Sequence, residues 1–305
     1  MARNYVEMTA PEIALLPREK TVFFMPVSPI EVHGPHLPLG TDVLVAQEVQ
    51  RRLQAELSTC RADLTLVNLP PLYCGSDALP CPGSLSVQAS GLSWVLYDFA
   101  RGLSRQGFRY LVISDNHGGP RHHLAIDAAA RKAWRKLQFY LIDPFIEIFR
   151  QMVSVSPALR EETGLASGAC GDDTDSHAGT NETSLFLAIA GETRNREEYA
   201  QIPPSTPSSP SGPAKLVSSV GRLVSRLGGP GADLEHLARM LQWTGQKGFR
   251  PYLGAPAAAS PEAGEAMLRY HVKIAMSLVD RALSGEPALP RPILGWLAFL
   301  RRLPE

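Results

Sequence analysis

The stretch TVFFMPVSPIEVHGPHLPLGTDVLVAQEVQRRLQAEL, residues Thr21 to Leu57, passes through three kinds of sequence in succession. Thr21 to Val27 is an apolar run of strand length. Glu31 to Asp42 follows as a loop stiffened by Pro35 and Pro38 and bearing Gly34 and Gly40. From 43 to 58, Val45, Val49, Leu53 and Leu57 recur every four residues with Gln, Glu and Arg between them, the stripe of an amphipathic helix. The reading is a strand, a loop and a helix.

The same unit recurs downstream. Leu64 to Leu72 reads as a strand, and residues 88–106 as a helix with Leu92, Val95, Phe99 and Leu103 on one face and Gly107 suited to its C-terminal cap. FRYLVISDNHGG is a third strand and loop. A helix with Ile126, Ala130, Ala133 and Leu137 on one side comes next, then a fourth strand, Phe139 to Asp143. Parallel strands need crossover connections, so this alternation predicts an α/β fold with a largely parallel sheet covered on both faces. Ligands gather at the carboxyl ends of such strands, where the first two histidine-bearing loops lie.

Beyond residue 160 the pattern is less regular. Gly164 to Gly179 is too rich in Gly, Ser and Asp for a strand or helix, and NETSLFLAIAG after it reads as a short buried helix or strand. Ile202 to Lys215 has the Pro and Ser content of an exposed loop, taken as an excursion within one domain spanning 1–305, whose motif-bearing core is about 20–190. Residues 262–283 read as a helix with Leu268, Val272, Ala275, Val279 and Leu283 in line. The tail, about 290–305, carries ILGWLAFLRRL, an amphipathic segment expected to dock on the body or on a neighbouring subunit rather than on a membrane surface.

Composition narrows the function classes. Lys plus Arg and Asp plus Glu number 30 each, so no net field attracts nucleic acid. The N-terminal residues lack the apolar core of a secretory signal and no run is long enough to span a bilayer, which leads to a cytoplasmic expectation. Cys60, Cys74, Cys81 and Cys170 form no C-x-x-C pair and are expected as free thiols.

Six of the eight histidines fall in three glycine-bearing segments: His33 and His36, then His117, His122 and His123, then His177. Glu31 and His33 are two apart, so in extended chain both side chains point to one side. Asp42 follows Thr41 at the start of a helix and either caps it or reaches back toward Glu31 and His33. Two glycines after His117 let the backbone turn and project that imidazole from a strand tip. His122 and His123 open the next helix, where exposed polar residues are expected. His177 is accompanied by Glu182, which caps, pairs locally or binds. These nitrogen and oxygen donors suit zinc, manganese or ferrous iron.

The segments EVHGPHLPLGTD, DNHGGP and HAGTNETS, in that order and with PCPGSLSV between the first two, resemble the motifs of the creatininase family of metal-dependent amidohydrolases. The resemblance implies a three-layer α/β/α sandwich and a homo-oligomer, a hexamer being one form. It also implies two divalent metal ions per chain, zinc first and manganese or iron as alternatives. Carried over, Glu31 and His117 bind one metal, His33 the other, Asp42 bridges them, and His177 carries a proton to the departing nitrogen. The family's further glutamate ligand falls at Gly119 here, so its role passes to Glu182. The family's Glu-His pair near Ser76 to Leu79 is missing, which makes creatinine an unexpected substrate. The resemblance implies hydrolysis of a C–N bond in a small cyclic amide, formamide or short peptide. The alternatives are hydrolysis of a small cyclic ketone or ester-like compound by the same centre, and a degenerate member that binds a ligand without turnover.

Overall fold

In the computed structural model, residues 2–153, 157–165, 175–190, 199–209, 211–227 and 231–302 are described. The elements run β1 (Arg3–Asn4), α1 (Ala10–Ala14), β2 (Thr21–Ser28), α2 (Thr41–Cys60), β3 (Thr65–Asn68), β4 (Leu72–Tyr73), α3 (Ala89–Arg105), β5 (Tyr110–Ser114), α4 (Pro120–Leu137) and β6 (Tyr140–Ile142). The helices α5 (Phe145–Val153), α6 (Pro157–Thr163), α7 (Thr180–Ala190), α8 (Gly212–Arg226), α9 (Gly231–Gly245) and α10 (Pro261–Leu283) follow. The chain divides into two units, residues 1–31, 40–148 and 271–305 in the first and 32–39 and 149–270 in the second.

The first unit holds a six-stranded sheet in the order β1-β3-β2-β5-β6, with β4 also paired to β2, and every pairing is parallel. All eight residues of β2 are buried. Successive side chains of a strand point to opposite faces. Accordingly Phe23, Met25 and Val27 join Leu111 and Ile113 of β5 in a core under α3 and α4, where Leu92, Leu96, Ile126 and Ala130 pack. Val22 and Phe24 join Tyr110 and Val112 in a second core with Leu53 and Leu57 of α2 and Ala275, Leu278 and Val279 of α10. Each fully buried Phe or Leu stabilises the fold by about 1.5–3 kcal/mol, so both faces of β2 must be covered. Helices therefore flank a parallel sheet on both sides, as the alternation of strand and helix patterns requires.

Sequence and structure differ at particular points. The strand expected over Leu64 to Leu72 is two strands, because Pro70 and Pro71 lack the N–H that a ladder needs. Gly107 does follow α3 with a φ of +86°, as its cap reading requires. In the second unit, the loop expected over Ile202 to Lys215 is shortened at its end by α8, which starts at Gly212, and Ser205 within it is buried and paired with Gly254. Most of Gly164 to Gly179 lies outside the described residues. Asn181 to Ala190 of NETSLFLAIAG is helical, within α7. Helices α8 and α9 form a hairpin in which a Cβ on Gly231 would lie 2.3 Å from the Gly221 carbonyl oxygen, so their backbones meet at glycines. The tail, Gly295–Arg302, forms short 3-10 turns kinked at Leu297 and lies against α3 and α4, with Trp296 and Phe299 exposed. Among the described residues, no helix is long and apolar enough to cross a membrane.

Candidate metal centre

Three side chains of the first unit converge just beyond the carboxyl ends of β2 and β5. Glu31 lies three residues past β2, where the Ile30 carbonyl accepts the Leu85 N–H at 2.8 Å. Its Oε1 accepts the Leu79 N–H at 2.6 Å, and its Oε2 is 3.0 Å from Nδ1 of His117. Asp42 Oδ2 is 3.4 Å from the same nitrogen, and Asn116 Nδ2 donates to Asp42 Oδ1 at 3.3 Å. The N-cap of α2 is Gly40 and Thr41 is its first helical residue, so of the two expectations for Asp42 the capping one is corrected. Asp42 sits at the second helical position, where the helix dipole favours a carboxylate. Glu31, Asp42 and His117 are all buried.

The tautomer of His117 follows from its other nitrogen. Nε2 is 3.0 Å from the Ser76 carbonyl oxygen, which can only accept, so Nε2 carries a proton and Nδ1 faces the two carboxylates. Burial works against a charged ring, but Glu31 and Asp42 outweigh it and hold the His117 pKa well above the ordinary imidazole range. The same field favours a cation. Ligand atoms of Glu31, Asp42 and His117 all lie within 4.8 Å of one another. Two carboxylates and an imidazole locked by a backbone carbonyl are a donor set fit for a divalent ion of the zinc or manganese class.

The loop Gly75 to Leu79 supplies that orientation through its backbone, at the place where the family's Glu-His pair is missing. Asp77 adopts φ +65° and pairs with both the backbone N–H and the guanidinium of Arg121. Gly119 has no room for a side chain, since a Cβ there would lie 2.4 Å from His117 Nε2 and 2.8 Å from the Asp77 Cβ. A glutamate is therefore excluded from position 119. Arg121→Ala should release the loop and its hold on His117, weakening metal affinity about 10- to 100-fold, the usual cost of losing an outer partner of a ligand. Competition with a chromophoric chelator measures this; an unchanged affinity would show that the latch is irrelevant to the ligands.

His122 and His123, expected as exposed polar residues, are 0% and 1% exposed. The first turn of α4 is tucked against the sheet end, where Ser76 N–H donates to His122 Nδ1 at 3.3 Å and the His123 ring stacks on Phe145. Nδ1 thus accepts and Nε2 carries the proton, 3.1 Å from Asp115 Oδ2. Asp115 Oδ1 also accepts from Ser28 Oγ at 2.6 Å and from the Asn116 and His117 N–H groups at 2.8 and 3.1 Å. Burial raises the Asp115 carboxyl, and His122 beside it more than offsets this, holding it below the usual carboxylate range. Burial also pushes the His123 pKa down to about 3 against the pull of Asp115. Sequence reasoning missed Asp115, whose only local signal is its place two residues before His117.

The second unit gathers His33, His177 and Glu182. Gly34 takes φ +63° and donates its N–H to the Pro251 carbonyl at 2.8 Å, turning the chain tightly enough for His33 to bridge to Leu37. Buried His33 has Nε2 3.6 Å from Glu182 Oε2, and its ring centroid is 4.4 Å from that of His177. His177 is held by backbone pairing with Leu253, and its Nε2 lies 2.8 Å from the Val32 carbonyl oxygen. Nε2 is therefore the protonated nitrogen, and Nδ1 is 3.9 Å from Glu182 Oε2. The cap of α7 is Asp175, which accepts the Thr180 and Asn181 N–H groups at 2.9 and 2.7 Å. Glu182 instead accepts the Ala178 N–H at 2.5 Å. His36 is 3.0 Å from Thr183 Oγ1 and is flanked edge-on by Tyr199 and Tyr252; burial, with His33 and His177 nearby, lowers its pKa to about 4.

The mycofactocin precursor peptide peptidase of Mycobacterium ulcerans (strain Agy99) is 29% identical over 184 residues, a match covering 58% of this chain and 62% of the relative. The creatinine amidohydrolase of Pseudomonas putida is 26% identical over 194 residues, covering 61% of this chain and 70% of that protein. A solved structure titled "Creatininase Mn" superposes with a TM-score of 0.62 at 20% identity, over 93% of this chain and 99% of its own, which establishes the common fold. The profile of the creatininase family, described as creatinine amidohydrolase, matches residues 6–279, and the chain belongs to that family.

Proposed function

We propose that the protein is a metal-dependent amidohydrolase that uses water to cleave a C–N bond in a small cyclic amide, a formamide or a short peptide. The observation that carries this is the buried convergence of Glu31, Asp42 and His117, with one imidazole nitrogen presented to two carboxylates. In this reading they hold one divalent ion. His33 and Glu182 would serve a second ion, and the family resemblance implies that the Asp42 carboxylate is common to both. When bound, divalent ions supply Lewis acidity, lowering the pKa of water and polarising a carbonyl. His177 moves the proton: Val32 holds its Nε2–H, so Nδ1 accepts a proton and delivers it to the departing nitrogen, while the nearby Glu182 carboxylate steadies the imidazolium. One catalytic domain is the natural extent, since the family match runs through both units. A homo-oligomer belongs to the same reading, supported by α8, which leaves Leu216, Val220 and Leu223 exposed along one face; solution mass by light scattering reads it.

Metal analysis after reconstitution, with a hydrolysis screen over these amide classes, tests the proposal. At least about two divalent ions per chain and amine release are expected; no bound metal after reconstitution would remove it. The His117 shift adds a pH signature. Binding must displace the proton that Glu31 and Asp42 hold on Nδ1, so affinity should fall as pH drops and each binding event should release a proton. The metal-free protein should behave oppositely. His117 contributes stability fully below its unfolded pKa near 6.5, and this is lost as pH rises through the raised folded value. Calorimetric titration in buffers of different ionisation enthalpy reads the proton release.

A further inference from the structure

We propose that Asp115, His123 and Asp143 form an additional site for a divalent cation, buried in the first unit at the carboxyl edge of the sheet and structural in role. Each comes from a different segment: Asp115 directly follows β5, His123 lies in the first turn of α4, and Asp143 directly follows β6. Their exposures are 4%, 1% and 3%. Ligand atoms of the three lie within 4.8 Å of one another. Two donors on one zinc ion stand at most about 4.4 Å apart, given bonds of about 2.0–2.2 Å, so small side-chain adjustments seat a cation among them.

The independent observation is at Asp143. Its Oδ1 accepts the Phe145 N–H at 3.0 Å, as a helix cap does, but its Oδ2 is buried and accepts no hydrogen bond among the described residues. Buried carboxylate oxygens are normally satisfied, and two carboxylates sharing one interior site need a positive partner or a proton. His122 does not serve Asp143, because its protonated Nε2 faces Asp115. His123 is the remaining nitrogen donor in the cluster. A nitrogen and two carboxylate oxygens suit zinc or manganese. The consequence is mechanical: Asp115 also binds the backbone N–H groups of Asn116 and His117, so a cation here ties the His117 turn to the ends of β6 and α4.

Anomalous difference maps from crystals of the full chain grown with zinc, and separately with manganese, test this by location. The expected result is a peak within bonding distance of Asp115, His123 and Asp143 in at least one metal. That peak should vanish in Asp143→Asn, whose amide oxygen can still cap α5, and persist in Asp42→Asn. Maps with no peak there in either metal overturn the proposal, as does a peak unaffected by Asp143→Asn. If that variant does not fold, the wild-type maps alone decide. Failure of the amidohydrolase reading is distinguishable, because it appears as missing density at Glu31, Asp42 and His117 or as absent turnover, whatever is found at Asp143.

Discussion

Replacing Asp42 with alanine should empty the centre at Glu31, Asp42 and His117 of its two ions and lower hydrolysis by at least about 10³-fold, because a bound ion contributes several kcal/mol of transition-state stabilisation and each 1.36 kcal/mol is tenfold in rate. The side chain is fully buried beside His117 Nδ1, and Gly40, not Asp42 or its neighbour Thr41, occupies the N-cap of α2. A cap alone would cost about 0.5–2 kcal/mol of stability and leave metal content untouched. Elemental analysis beside thermal unfolding separates the two. Loss of both ions with a fold that still melts cooperatively supports a shared carboxylate. Loss of one ion would refute sharing, and full retention would remove Asp42 from the centre. Asp42→Asn sharpens the comparison, since an amide oxygen can still accept from Asn116 while the charge is gone.

His177→Ala should behave in the opposite sense: metal content intact and kcat reduced by about 10²- to 10⁴-fold, the span attributed to a positioned proton carrier. The ring reaches its orientation through two backbone contacts, the Leu253 pairing and the Val32 carbonyl, neither of which depends on metal. Substrate binding should change little, so kcat rather than KM carries the effect. Loss of metal together with activity would make His177 a ligand and not a proton carrier. Glu182→Gln extends the test. With its carboxylate 3.6 Å from His33 Nε2 and 3.9 Å from His177 Nδ1, Glu182 should affect both metal content and rate.

The histidines show how far local sequence reaches. The glycines after His117 were legible as a device that presents an imidazole from a strand tip, and the structure buries that ring beside Glu31 and Asp42, whereas the positive-φ turn at Gly34 was not read. His122 and His123 were not legible in the same way. At the start of an amphipathic helix, adjacent polar residues ordinarily face water, and only the approach of Ser76, Asp115 and Phe145 makes that turn an interior surface. Helices α8 and α9 went unread although Leu216, Val220 and Leu223 recur along one face of α8: that face is exposed, and the helices approach each other at Gly221 and Gly231, which carry no side chain to mark the contact.

What the sequence by itself determined is the periodic part: a strand buried on both faces at Thr21–Ser28, helices that must cross over between parallel strands, and an inventory of carboxylates and imidazoles at strand tips. Periodicity is local, since burial of alternate or every third and fourth residue follows from strand and helix geometry alone. The tertiary structure decided which nitrogen of His117 faces the carboxylates, why position 119 admits no glutamate, and that Asp115 anchors the turn between them. Those outcomes depend on directional hydrogen bonds from partners such as Ser76, 41 residues from His117, and Ser28, 87 residues from Asp115. Such partners meet only once the sheet order places their strand ends side by side, and no window of sequence contains that order.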